Sequence, residues 1–315
     1  MHPLQRGPGA YREGLRVAAG DLAALAIASV AAAGCAAPLA DDGSSISLGT
    51  YAEGALRRGV ALPPDGDGYT VARPWRGRRS HFGTEEMVAW LVRSTRQVSR
   101  RLPGGIAAVG DLSRLGGGAS VEHKSHQSGR DVDIFFYAMD AAGKPVRPGN
   151  SMIRYDAVGR AARWSPADGW APPAEPLPAH RFDVRRNWAL VKAMLLDPEA
   201  EVQWIFIHRA LAGLMLQAAA ASGEDQGIVA RAAALMHQPT DAEAHDDHMH
   251  VRLYCDATDR ILGCADRGPQ RWWKKRWKHM SRGLAGERSP YGDVLDAFMR
   301  LFGRRIPVAP NPVSA

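Results

Sequence analysis

Apolar side chains recur at helical spacing in four stretches of the chain. Thr84 followed by Glu85 and Glu86 reads as a helix start, and Met87, Trp90, Leu91 and Val98 then fall on one helical face. A second helix begins near Asp183 and carries Trp188, Val191, Met194 and Leu195. Residues 210–220 and 228–236 read as two more, the last stopped ahead of Pro239. Strands are expected at 106–109, 132–137, 202–207 and 248–253. Between the second and third of these, residues 141–180 contain Pro166, Pro172, Pro173, Pro176 and Pro178 and read as a long loop, of the kind that forms a lid or cleft wall. No internal repeat is visible. Strands and helices do not alternate strictly, so the expected fold is α+β: a small, mostly antiparallel sheet flanked by helices and long loops.

Alternation along two of the strands brings in chemistry. On a strand over 248–253, His248, His250 and Arg252 share one face while Met249, Val251 and Leu253 share the other. On a strand from 132, Asp131 and Asp133 lie opposite Val132, Ile134 and Phe136. Gly129 lets the chain turn tightly between His126 and Asp133. Five of the 11 histidines fall in two short segments, His123 with His126 and His245 with His248 and His250. Either segment alone is common on a surface strand. Together, each on a strand with an apolar opposite face, they suit zinc, whose catalytic sites commonly take two imidazoles and a carboxylate and leave one position open. The expected ligands are His126, Asp133 and His250. His248 lies one pleat repeat from His250, placed to act as general base or to stabilise the transition state. His123, His245 and Asp131 are placed to orient the ligands. His180 and Asp183 could join a second metal, but Asp183 reads better as a helix cap, and His208 and His237 as ordinary residues.

Composition sets the class. Of 315 residues 45% are hydrophobic and 23% charged, which gives a globular body with a core and excludes a disordered chain, a coiled coil and a collagen-like fibre. The net charge is +7, which suits an anionic partner such as nucleic acid, anionic lipid or an acidic wall polymer. The first 40 residues have a positive leader (Arg6, Arg12, Arg16), an apolar run from Leu22 to Ala33 and then small residues, the layout of an export signal. Ala32-Ala33-Gly34-Cys35 resembles a lipoprotein cleavage box, so a lipid anchor on Cys35 is the one route to a membrane. Export argues against nucleic acid as partner. It also lets Cys255 and Cys264 close a short disulfide loop. Past about residue 266 the chain becomes basic and Trp-rich, with Trp273 and Trp277 on one helical face; helix packing on the body is the plainer reading of that extension.

Three segments resemble those of the penicillin-insensitive murein endopeptidases, relatives of lysostaphin-type and D-Ala-D-Ala zinc peptidases. They are Gly110-Asp111-Leu112-Ser113, the run from Ser125 to Asp133 and the run from His245 to Arg252. The likeness spans roughly 48–265, includes Gly49-Thr50-Tyr51 and the Cys255–Cys264 pair, and leaves 141–200 unmatched. It implies cleavage of the D-alanyl–diaminopimelyl cross-link of peptidoglycan in the periplasm. It also implies zinc on His126, Asp133 and His250, and His248 as the catalytic histidine. β-Lactams would not inhibit, since no acyl-enzyme serine is needed. The oxyanion would be met by His245 or by protonated His248, and a substrate carboxylate by Arg130 or Arg252. Rival readings are a D,D-carboxypeptidase or dipeptidase, and a wall-binding protein with an inert site. The organisation expected is a leader over 1–40, a peptidase domain over 48–265 and an extension over 266–315.

Overall fold

Seven strands form the central sheet: β1 (Asp65–Gly66), β2 (Tyr69–Val71), β3 (Ala107–Val109), β4 (Asp131–Phe135), β5 (Val202–Phe206), β6 (Met236–His237) and β7 (His248–Leu253). They line up as β6-β5-β7-β4-β3-β2-β1. Neighbours run antiparallel except at β5–β6 and β2–β3. The computed structural model describes residues 42–162, 179–240 and 242–268. The leader, Cys35, residues 163–178 of the long Pro-rich loop and the tryptophans of the C-terminal extension lie outside them.

The helices form where the apolar spacing and caps place them. Helix α1 (Glu85–Arg101) starts at Thr84, whose hydroxyl accepts from Met87 N, with Glu85 and Glu86 in its first turn and Arg100 and Arg101 in its last. Helix α2 (Val184–Leu195) is capped by Asp183, which accepts from Arg186 N. Helices α3 (Arg209–Ala221) and α4 (Gln226–Leu235) follow; Asp225 caps α4. Trp90 of α1 is fully buried and its indole N–H donates to Met194 O on α2 at 3.1 Å. Val132, Ile134, Met249 and Val251 reach into the same core from β4 and β7. The fold is therefore α+β with a mostly antiparallel sheet. Met236 leaves the helix expected for it and starts β6 instead. Among the described residues no helix is long and apolar enough to cross a membrane.

The two ends of the body are stitched together. A hairpin of Ile46–Gly49 and Gly54–Arg57 lies against the segment after β7. Gly49 N donates to Gly263 O at 3.1 Å, and Ala265 N to Gly49 O at 2.8 Å. The Cys255–Cys264 disulfide forms and closes the loop that holds the short helix Ala257–Ile261. Arg130 is the buried pin of this corner. Its Nε donates to Ser47 Oγ at 3.0 Å and its Nη1 to Leu253 O at 2.9 Å and Asp266 Oδ1 at 3.2 Å.

Candidate metal centre and cleft

Strand register does the first part of the assembly. β7 pairs with β4 so that His250 faces Asp133 and Arg252 faces Asp131. Both polar pairs point away from the helices, while Val132, Ile134, Met249 and Val251 fill the core on the other side.

The Gly110–Ser113 segment does the second part. Gly110 N donates to Asp133 O, and Asp133 N to Asp111 O, so the segment runs beside β4. Ser113 Oγ donates to His126 O at 2.5 Å and accepts from Gly129 N at 2.9 Å, which sews the His126–Gly129 turn onto it. That turn is tight: Gly129 has φ +79°, and His126 itself sits in the left-handed region at φ +62°. His245 does the same at φ +52°. Left-handed non-glycine residues are strained, and such strain gathers at functional sites.

Side chains then converge on Asp133. Its Oδ1 lies 3.3 Å from His126 Nε2, 3.3 Å from His250 Nδ1 and 3.6 Å from His248 Nε2. Its Oδ2 lies 3.8 Å from His123 Nε2. Each imidazole is held from behind. His126 Nδ1 donates to Leu112 O at 3.1 Å, His250 Nε2 to Asp131 Oδ1 at 2.8 Å and His248 Nδ1 to Asp247 Oδ1 at 2.6 Å. Those bonds orient the rings and aim His126 Nε2, His250 Nδ1 and His248 Nε2 at the shared carboxylate. His126 Nε2 and Asp133 Oδ1 are buried with no hydrogen-bond partner, a costly state that a cation would relieve. His123, His126 and Asp133 offer ligand atoms within 4.8 Å of one another, so this group can hold a metal ion. His123 Nε2 is already spent on Asp111 Oδ2 at 2.9 Å, whereas His250 keeps Nδ1 for the centre.

The electrostatics follow the same geometry. Burial works against the imidazolium of His248, yet the carboxylates of Asp247 and Asp133 win and push its pKa up to about 9. Burial and the neighbouring His126 push His250 down to about 3. Asp133 stays ionised far below the usual carboxylate range: burial opposes this, and His126 and His248 overcome it. His245 is lowered by burial and by His248. Its Nδ1 donates to Glu243 O at 2.7 Å.

His123, Asp133, His245, His248 and His250 line a cleft of about 880 Å³ with Tyr51, Trp75 and Phe206 among its walls, and His126 is buried behind it. Ser151 and Met152 of the long loop form part of the wall, as expected of that segment. Arg252 also lines it, but its Nε donates to Asp131 Oδ1 at 2.7 Å and its guanidinium stacks on Tyr51, 3.5 Å from the ring centre. Arg130 is not in the cleft at all, so the expectation that it meets substrate is corrected. Alternation gave the warning: Arg130 has the parity of core-facing Val132. Asp183 caps α2, as read from the sequence, and its carboxylate is held by Arg186. Three residues given no role in the sequence reading stand out. Asp247 was signalled only by its place next to His248, Asp111 by the Gly110–Ser113 segment and Arg78 by nothing.

With this geometry in view, the comparisons are decisive. A family model described as penicillin-insensitive murein endopeptidase matches residues 47–272. The chain belongs to the penicillin-insensitive murein endopeptidase family. A protein of that name from Haemophilus influenzae is 31% identical over 223 residues, covering 69% of this chain and 66% of that one. Namesakes from Salmonella heidelberg and Klebsiella pneumoniae are each 28% identical; the matches cover 71% of both chains in the first case and 72% in the second. The chain thus spans about two thirds of the length of these murein endopeptidases. Membership places it among peptidases named for peptidoglycan. Both groups of histidines, Asp133 and the cleft fall within the matched region.

Proposed function

We propose that this chain is an exported zinc endopeptidase that hydrolyses the D-alanyl–meso-diaminopimelyl cross-link of peptidoglycan. His126, Asp133 and His250 hold the metal in this reading, and His248 is the catalytic histidine. One observation carries it: His126 Nε2, His250 Nδ1 and His248 Nε2 all face one buried oxygen, Asp133 Oδ1, on the wall of an open cleft. Zinc bound there supplies Lewis acidity to the scissile carbonyl and to a water molecule.

The chain's own groups do the rest. Asp131 and Leu112 O fix the tautomers of His250 and His126, so both rings present unprotonated nitrogens to the cation. Asp247 holds the Nδ1 proton of His248 and leaves Nε2 to handle protons in the cleft. His248 Nε2 takes a proton from the attacking water and later delivers it to the departing amine nitrogen. Between those steps its imidazolium is the donor beside the developing oxyanion. A periplasmic location, the 1–40 leader with a lipid anchor on Cys35, the 48–265 peptidase domain and the 266–315 extension belong to the same proposal.

The test is digestion of purified sacculi by the zinc-loaded protein. Cross-linked dimers should fall as monomers rise in step. Release of free D-Ala instead would make it a carboxypeptidase, and binding to sacculi without cleavage would make it a wall-binding protein. His248→Ala should abolish cleavage and keep its zinc. Undiminished turnover in that variant defeats the role given to His248.

A further inference from the structure

The endopeptidase reading leaves one chemical demand unmet. The nitrogen of the bond to be cut sits on a carbon that also bears a carboxylate, so an anion must settle beside the metal centre. The two arginines that the sequence offers for it are committed: Arg130 is buried in the corner with Ser47 and Asp266, and Arg252 is fastened to Asp131 and Tyr51.

A third arginine lines the cleft. Arg78 Nη1 donates to Asp111 Oδ2 at 2.8 Å, and its guanidinium carbon lies 4.8 Å from the ring centre of Trp75. The same Asp111 oxygen accepts from His123 Nε2, which in turn lies 3.8 Å from Asp133 Oδ2. Arg78 is therefore joined to the centre by a short chain of contacts. Among the described residues no other hydrogen bond engages its Nε or Nη2, and its side chain is 31% exposed. A guanidinium held on one side and open on the other is prepared for a two-pronged contact with a carboxylate, because its ordering has already been met by Trp75 and Asp111. Lys124, a further cation on the wall, is exposed and presents a point charge on a flexible four-carbon stem.

Resting on the endopeptidase reading, we propose that Arg78 is the specificity-determining residue of this site. It receives the substrate carboxylate adjacent to the scissile amide.

The test uses the zinc-loaded full chain and two cross-linked muropeptide dimers, one with that carboxylate free and one with it amidated. The wild type should prefer the free form by about tenfold or more in kcat/KM, mainly through KM. Arg78→Gln should cleave the two dimers equally, with kcat on the amidated dimer near the wild-type value. Arg78→Lys, which keeps the charge without the fork, should retain part of the preference, and it serves as the probe if the Gln variant fails to fold. Lys124→Gln should discriminate as the wild type does. The proposal is overturned if the wild type treats both dimers alike, or if both Arg78 variants keep the full preference. It is overturned too if both lose the two substrates in equal proportion, which would make Arg78 only a prop for Asp111. A wild type that cleaves neither dimer overturns the endopeptidase reading itself, and this proposal with it.

Discussion

In the proposed metal centre, single residues would decide which imidazoles take the ion. His123 and His250 both approach Asp133, but the nitrogen that His123 turns to it is shared with Asp111, while His250 has its far nitrogen tied to Asp131. His250→Ala should therefore lose zinc at a chelator concentration that leaves His123→Ala largely loaded. Competition titration with a coloured chelator measures the difference, and equal affinities would mean that His123 shares the ligand role. Asp259 offers a test of pH dependence away from the metal. It is buried and accepts from Ser47 N at 2.9 Å. Burial first, then Glu86 and Asp256, raise its pKa to about 6. Its folded pKa thus lies above the unfolded value, so the folded state holds the proton more tightly between about pH 4 and 6. Stability is lost as pH rises through that window, and the ionised group is a net cost above it. Asp259→Asn keeps an acceptor for Ser47 and carries no charge. It should match the wild type at pH 4 and exceed it by on the order of 1–2 kcal/mol at pH 8, by urea unfolding at the two pH values.

At the scale of elements, the turn between His126 and β4 is the critical joint. Gly129 has φ +79°, and a Cβ there would lie 2.6 Å from Leu56 Cδ1. Gly129→Ala should cost about 1–3 kcal/mol in denaturant unfolding and weaken zinc binding, because His126 rides on the same turn. This joint was legible in the sequence, as were β7 at its observed bounds, the caps Thr84 and Asp183, and the face shared by His250 and Asp133. Those features rest on periodicity and on local capping, which a sequence displays directly. The two-residue strands β1 and β6 and the three-residue β2 were not legible, since so few residues carry no period. Nor were Arg78 and Asp111, whose approach to the centre depends on β3 lying next to β4, a long-range pairing. Arg130 was expected to meet a substrate carboxylate; its parity, shared with core-facing Val132, turns it inward, where it is buried.

For the whole molecule, the Cys255–Cys264 bridge spans nine positions and secures the corner where the first hairpin meets the end of the body. A loop of that size constrains the unfolded chain by about 2–3 kcal/mol. Replacing both cysteines with Ser should lower the midpoint of thermal unfolding by roughly 5–10 °C in scanning calorimetry. Reduced wild-type protein should fall by the same amount, and an unchanged midpoint in both would show that the corner needs no covalent tie.

The buried pin at Arg130 carries a consequence for the order in which the protein becomes active. Ser47 and Asp266, its partners, are the width of the folded body apart in sequence, and the residue after the pin is Asp131, which orients His250. A chain that ends before Asp266 would lose the carboxylate facing that guanidinium, and a buried charge without its counter-ion would work against closing the adjoining strand. On the endopeptidase reading, hydrolysis would then wait on Asp266, a residue far from the centre in sequence.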